Sequence, residues 1–183
     1  ISMICPLHGL IWRKDIDNLI QKYAKWSAYE PEIEGVLIAY SSVYGNTQSA
    51  AEIVANRLGE QGVKNIQMYD VSVTHPSYVV AEAFRYSHIV FATTTYNGGI
   101  FVTMENLLLD LKAHNLQNRT VALIENGTWA ATAAGHMKNI LSSMKGMNVI
   151  ANHVTLKSSV KPEKRDELIA LADAICETLK KRY

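Results

Sequence analysis

The sequence is poor in cysteine and carries almost no net charge. Cys5 and Cys176 are its only cysteines among 183 residues, and they form no Cys-x-x-Cys pair. Two separated thiols exclude a four-thiolate zinc or iron site and give no sign of a disulfide-stapled secreted domain, so the sequence predicts a cytoplasmic protein. The formal net charge is +1. A chain so near neutrality is not a broadly basic nucleic-acid binder, and we expect no nucleic acid among its partners.

Long apolar runs are also missing. No stretch approaches the roughly 18 apolar residues that a membrane-spanning helix needs, so we expect no membrane partner. Hydrophobic residues make up 48% of the chain and charged residues 19%, which is typical of a folded domain rather than a disordered one. The chain begins with Ile1 rather than Met. We therefore expect the chain to be a fragment or a processed product.

From Gly35 onward, short apolar runs alternate with longer amphipathic segments. This alternation predicts five strands, each followed by a helix, in a doubly wound α/β fold with three layers and a five-stranded parallel sheet. Ligands of such folds bind at the carboxyl ends of the strands, so the loops after strands one, three and four are where we expect a site. The predicted strands are 36–40, 66–69, 88–93, 121–124 and 149–154, and the predicted helices are 47–60, 77–86, 101–111, 134–144 and 162–179.

The first 34 residues do not follow this alternation. Apolar residues between Ile16 and Ala24 predict a short helix. Pro31 and three neighbouring glutamates then indicate a linker. The predicted domain therefore comprises residues 35–183, preceded by a tail and linker.

The loop after the first predicted strand has the composition of an anion site. Ser41–Thr47 combines hydroxyl groups with a glycine and leads directly into a helix, whose first N–H groups lack partners within the helix. The loop has no Gly-Lys-Ser/Thr ending and no Gly-x-Gly-x-x-Gly pattern, which argues against a nucleoside triphosphate or a dinucleotide. A single phosphate monoester fits best, although Asn46 or Thr47 as a simple helix cap explains the same residues.

The loops after the third and fourth predicted strands each carry an aromatic residue. Thr93–Gly99 has two glycines and an asparagine, which permit a turn with unusual backbone angles, and it includes Tyr96. Glu125–Trp129 is again a polar turn that ends in a large aromatic residue. Beside a phosphate loop, these aromatics indicate a flat heteroaromatic ring on a phosphate tail, although Tyr96 and Trp129 as packing residues remain the alternative.

Several of these segments resemble a known family. Ser42–Thr47 is similar to the phosphate loop of flavodoxins, and the resemblance extends over residues 35–183. Together with Tyr69–Ser72, Thr95–Asn97 and Glu125–Trp129, that loop looks like the flavodoxin module of the flavodiiron proteins. Cys5–Arg13 is similar to the segment that ends the metallo-β-lactamase-like domain of that family. The resemblance implies that residues 1–34 are the end of such a domain, the rest of which is missing here.

The resemblance implies a flavodoxin-like fold that binds FMN. In this family the first loop holds the phosphate, and the other two loops line opposite sides of the isoalloxazine ring. Carried over by position, the phosphate ligands are Ser42, Val43, Tyr44, Gly45, Asn46 and Thr47; the residues on one side of the ring are Thr94, Thr95, Tyr96, Asn97 and Gly98; and those on the other side are Asn126, Gly127, Thr128 and Trp129.

The resemblance also implies a function for the full-length protein. FMN would take electrons from a rubredoxin-like or other small redox donor and pass them to a diiron site that reduces O₂ or NO, in a homodimer. His8 corresponds to one iron ligand of the family. The other ligands lie outside this chain, so His8 is a metal ligand only in the presence of the missing domain. The chain alone is expected only to transfer electrons, with no catalytic residue of its own.

Two other functions are compatible with parts of the sequence. One is a free-standing flavodoxin-like carrier or an FMN-dependent quinone reductase; the near-neutral charge and the first 34 residues argue against it. The other is a phospho-acceptor signalling domain on a similar sheet. That domain needs acidic residues at the ends of strands one and three, where this chain has Ser41, Ser42 and Thr93.

Overall fold

The computed structural model describes residues 1–180, so the last three residues of the predicted domain lie outside the described part. The strands are β1 Ile33–Tyr40, β2 Ile66–Asp70, β3 Tyr86–Tyr96, β4 Gly99–Ile100, β5 Thr120–Asn126, β6 Asn148–Val149 and β7 Val154–Leu156. The helices are α1 Ile16–Ser27, α2 Asn46–Glu60, α3 Pro76–Arg85, α4 Val102–Ala113, α5 Ala133–Ser142 and α6 Pro162–Lys180.

One sheet organises the chain. Its strands follow the order β2-β1-β3-β5-β6, all neighbouring pairs are parallel, and β7 also pairs with β5 in parallel. The chain thus winds outward in one direction from β1 to β2 and in the other from β3 onward. This confirms the predicted doubly wound fold. The order reverses between β1 and β3, which is where such sheets open a crevice for a ligand.

The fifth strand is where the prediction was wrong. Residues 149–154 do not form one strand, because β6 ends at Val149 and β7 begins at Val154. Val149 pairs with Val121, and Val154 pairs with Ile124. Between these two pairs β5 advances from residue 121 to 124, while the edge of the sheet advances from 149 to 154. The segment from β6 to β7 therefore holds two more residues than the matching part of β5. These two extra residues bulge out of the hydrogen-bonded ladder.

Buried side chains on the two faces of the sheet pack against different helices. In β1, Leu37 and Ala39 lie in a core cluster with residues of α3, α4 and α5. Val36 and Ile38 lie in a second cluster with residues of α2 and α6. This alternation explains why β1 is continuously apolar from Val36 to Ala39: both faces of a parallel sheet are covered by helices.

The segment before the domain is joined to the end of the sheet opposite the crevice. An isolated antiparallel bridge links Ile4 and Trp12, and α1 follows. The buried Arg119 donates hydrogen bonds to the carbonyl groups of Tyr29, Ala83 and Phe84, which fixes the segment between α1 and β1 against the end of α3. β1 begins at Ile33, two residues before the predicted boundary. Of the helices described, none combines the length and apolar character required to cross a bilayer.

Candidate functional site

A cavity of about 480 Å³ lies at the carboxyl ends of β1, β3 and β5. Its volume falls in the range of small-molecule and cofactor sites. The loops after these three strands meet there, as the sequence predicts. The residues lining the cavity are Ser42, Val43, Tyr44, Asn46, Thr47, Ser72, Thr94, Thr95, Tyr96, Phe101, Asn126, Gly127, Thr128, Trp129 and Ser158.

The first loop presents the amino terminus of α2 to the cavity. Gly45 precedes the helix with a φ of 84°, in the left-handed region that favours glycine. As a glycine it has no side chain, so no side-chain hydrogen bond from the N-cap residue reaches the first turn of the helix. The first N–H groups of a helix have no partners within it, and the helix dipole places partial positive charge at this end. The loop is therefore suited to bind an anion.

Ser42 supplies a hydroxyl group that has no partner. Its Oγ atom is buried and makes no hydrogen bond with any described residue. A buried polar group left without a hydrogen bond costs on the order of 1–3 kcal/mol, so an oxygen of a ligand bound in the cavity would relieve this cost. None of the residues that line the cavity is charged. A bound anion would therefore be held by neutral donors, which fits the expected phosphate of FMN.

Two hydroxyl pairs connect the first loop to the end of β3. Ser41 Oγ and Thr93 Oγ1 lie 2.7 Å apart in the protein interior, and Thr47 Oγ1 lies 3.3 Å from Thr94 Oγ1. These pairs cross from β1 and α2 to the neighbouring strand. They fix the separation between the first and second loops.

The second loop is a tight hairpin. β3 and β4 pair in antiparallel register, with Tyr96 opposite Gly99, so only Asn97 and Gly98 form the turn. Their φ values are 48° and 72°, both positive, as in the type I′ turn that matches the twist of a hairpin. The expectation of unusual backbone angles in this loop is confirmed.

The hairpin is bonded to the third loop and to α5. The carbonyl oxygen of Gly98 accepts hydrogen bonds from Thr132 Oγ1 at 2.9 Å and His136 Nε2 at 3.0 Å. Thr95 Oγ1 accepts from the backbone N–H groups of Thr132 and Ala133, at 3.1 and 3.2 Å. The Thr95 hydroxyl oxygen thus caps α5. Together these hydrogen bonds hold the hairpin, which lines one side of the cavity, against α5.

The third loop is held at its base by a buried carboxylate. Glu125 accepts hydrogen bonds from the backbone N–H of Ala134 at 2.7 Å and from Thr155 Oγ1 at 2.8 Å. These bonds join the end of β5 to the first turn of α5 and to β7. Close to this point, a Cβ added to Gly127 would lie only 3.0 Å from the Cα of Ala131, so the turn packs tightly against the backbone of residue 131.

Two aromatic side chains face solvent at the mouth of the cavity. Tyr96 is 49% exposed and meets the ring of Phe101 edge-on, with centroids 5.8 Å apart. Trp129 is 99% exposed. A tryptophan that buries almost none of its surface contributes little to the core, which argues against the packing alternative for this residue. Both aromatics are available to a flat ligand.

One ionisable group directly before the first loop has a shifted pKa. Burial raises the pKa of the Tyr40 phenol above its ordinary value, and the nearby carboxylates of Asp70 and Glu52 add to the rise. Tyr40 therefore remains neutral at physiological pH. It adds no charge beside the anion-binding loop.

The structure brings most of the predicted binding residues together. Every one of them lines the cavity except Gly45, Asn97 and Gly98. These three shape the turns instead, since each has a positive φ. The contact of any of these residues with FMN stays a prediction.

Three of the residues that line the cavity were not predicted from the sequence: Ser72, Phe101 and Ser158. Ser72 belongs to the Tyr69–Ser72 segment that carries part of the family resemblance. That resemblance could have identified Ser72 as a residue of the site. Phe101 is the first residue of the predicted helix 101–111, and nothing in that pattern points to the cavity. Ser158 had no signal, because its position depends on a contact with a residue far away in the chain.

His8 lies exposed in the segment before α1. Across residues 1–180, no three or more histidine, cysteine, aspartate or glutamate side chains group in a way that could hold a metal ion. Its role as an iron ligand, which depends on residues outside this chain, stays a prediction.

Known proteins with the same architecture include flavodiiron enzymes. The structure superposes on rubredoxin oxygen:oxidoreductase from Desulfovibrio gigas with a TM-score of 0.89 and 23% identity, covering 98% of this chain and 45% of that one. The flavodiiron protein from Giardia intestinalis gives a TM-score of 0.83 and 19% identity, covering 98% of this chain and 46% of that one. The predicted resemblance to the flavodoxin module of flavodiiron proteins is confirmed at the level of the fold.

Sequence comparison agrees. A nitric oxide reductase from Moorella thermoacetica is 26% identical over 145 residues, which are 79% of this chain and 36% of that protein. The chain spans less than half the length of the curated relatives it matches. The flavodoxin family model matches residues 38–169, which include all three loops of the cavity. Because this match covers well over half of the sequence, the chain belongs to the flavodoxin family.

Proposed function

We propose that this chain binds FMN in the cavity and transfers electrons through it. The observation that carries the proposal is the buried, unpartnered Ser42 hydroxyl beside the uncapped amino terminus of α2. Together they offer the phosphate of FMN several neutral donors. Asn46 and Thr47 belong to the same turn and complete the phosphate end of the site.

The other two loops would hold the ring of FMN. The hairpin that includes Tyr96 and the loop that includes Trp129 line the rest of the cavity. Their aromatic side chains supply surface for a flat ring, and their backbone groups supply polar contacts at its edge. Bound FMN supplies one-electron and two-electron redox chemistry, which the protein tunes through these contacts. No general acid or nucleophile from this chain is needed.

The full-length protein would be an oxidoreductase of the flavodiiron type. We propose that it takes electrons from a rubredoxin-like or other small donor and passes them to a diiron site, where O₂ or NO is reduced. This rests on the named activities of the similar proteins from Desulfovibrio gigas and Moorella thermoacetica. The diiron site lies outside this chain, and a homodimer of the full-length protein would bring FMN and iron together. By itself this chain would only carry electrons.

The proposal is tested by mixing the purified chain with FMN, removing the free flavin by gel filtration and recording the visible spectrum. We expect flavin absorption to elute with the protein and its bands to disappear on reduction with dithionite. Lumiflavin, which has the same isoalloxazine ring but a methyl group in place of the ribityl phosphate chain, is the matched ligand control and should be lost on the column. Protein that elutes without FMN absorption would refute the proposal.

A further inference from the structure

A fourth loop, outside the three that the fold class predicts, reaches the cavity. Residues 157–161 connect β7 to α6, and Ser158 of this loop lines the cavity. The side chain of Ser158 is a hydroxyl that lies beside both the phosphate loop and the third loop. It is not among the residues to which the family resemblance gives a role.

The backbone of Ser158 is held in an unusual conformation by one side chain. Its φ is 70°, in the left-handed region that a serine rarely adopts. Asn126 accepts a hydrogen bond from the Ser158 N–H at 2.9 Å and donates one to the Ser158 carbonyl oxygen, also at 2.9 Å. Both polar backbone groups of Ser158 are thus bonded to one amide. This explains how a residue other than glycine keeps that conformation.

The hydroxyl group of Ser158 accepts a hydrogen bond from the phosphate loop. Asn46, the first residue of α2, donates from Nδ2 to Ser158 Oγ at 3.4 Å. A bond of this length is weak. The Ser158 O–H proton has no acceptor assigned among the described residues, so the hydroxyl remains able to donate to an oxygen atom in the cavity. The bond to Asn46 places the Ser158 hydroxyl beside the amino terminus of α2.

We infer that Ser158 is a further ligand of the FMN phosphate, donating from Oγ to a phosphate oxygen. The inference rests on the proposed function of the cavity. A phosphate dianion needs several donors, and no charged side chain lines the cavity to supply one. The fourth loop adds a hydroxyl donor next to Asn46 at the amino terminus of α2. Ser158 therefore contributes to the preference for FMN over riboflavin, which has the same ring and ribityl chain but no phosphate.

The test compares the dissociation constants of FMN and riboflavin for the wild-type chain and for Ser158→Gly. Glycine adopts a positive φ without strain and retains the N–H and C=O groups that bond to Asn126, so this change removes the hydroxymethyl side chain without forcing a new backbone conformation. Hydrogen bonds to charged groups contribute about tenfold or more to affinity. We expect FMN binding to weaken by about tenfold and riboflavin binding to stay unchanged.

Ser159→Gly is the matched control. Ser159 is exposed in the same loop and does not line the cavity, so this change adds backbone freedom to the loop while no ligand contact is lost. Both flavin affinities should be unchanged in this variant. An equal loss for FMN and riboflavin in Ser158→Gly, or no loss for FMN, would overturn the inference while the proposed function stands. A wild-type chain that binds neither flavin would overturn both.

Discussion

The hydroxyl oxygens of Ser41 and Thr93 lie 2.7 Å apart, and both side chains are fully buried beneath the cavity. This pair joins the ends of β1 and β3, the two strands between which the order of the sheet reverses. The pair sets how far apart the first two loops stand, and with them the width of the cavity.

We expect Ser41→Ala to destabilise the fold by about 1–3 kcal/mol, because Thr93 Oγ1 keeps only a 3.4 Å bond to the Thr94 carbonyl oxygen. Urea denaturation followed by circular dichroism measures this change. Ser143→Ala removes an exposed hydroxyl whose partner is in its own helix turn, and it should cost less than about 0.5 kcal/mol. Equal stability losses in the two variants would show that the buried pair has no special role.

Gly45→Ala should weaken FMN binding and destabilise the fold by about 1–3 kcal/mol, because a side chain at φ 84° is strained even where there is space. No atom lies within 4 Å of the added Cβ, so the effect would come from the backbone alone. Thermal melting and an FMN titration measure the two effects.

Gly59→Ala is the control for that experiment. Gly59 lies within α2, has no positive φ and also has no atom within 4 Å of an added Cβ. Alanine there should stabilise the helix by about 0.5–1 kcal/mol and leave FMN binding unchanged. If both variants bound FMN like the wild type, the role of the Gly45 turn in shaping the phosphate loop would be disproved.

Trp129→Ala should leave the free energy of unfolding within about 0.5 kcal/mol of the wild type, because the side chain buries almost nothing. It should weaken FMN and riboflavin alike, since the ring is common to both. Isothermal titration calorimetry gives both affinities. Tyr23, an exposed aromatic residue on α1, offers the control: Tyr23→Ala should change neither the FMN affinity nor the riboflavin affinity. Wild-type affinity in Trp129→Ala would remove this residue from the site.

The reactivity of the two cysteine thiols tests whether α6 packs into the core. Cys5 is exposed and Cys176 is buried on α6. Burial raises the pKa of the Cys176 thiol above its ordinary value, and the carboxylate of Asp173 adds to the rise, so its reactive thiolate is scarce near neutral pH. A titration with Ellman's reagent at pH 7 should give one fast thiol in the native chain and two in guanidinium. Two fast thiols in the native chain would contradict this packing of α6.

The sequence predicts the strands that are buried on both faces, because each is a short apolar run bounded by polar turns. It also predicts the hairpin, because Asn97 and Gly98 tolerate positive φ. It does not predict the break between Val149 and Val154, since that depends on how the edge of the sheet pairs with β5. Nor does it predict Ser158, whose place is fixed by Asn126, a residue 32 positions earlier.

The most direct test of the account is a map of backbone amide NMR signals in a titration with FMN. We predict that the signals of Asn46, Thr95 and Gly127, one from each loop, shift together and saturate at one equivalent. Signals of Val63 and Cys176, which line a different cavity, should stay in place. Shifts confined to that other cavity, or no shift at all, would contradict the claim that FMN binds where the three loops meet.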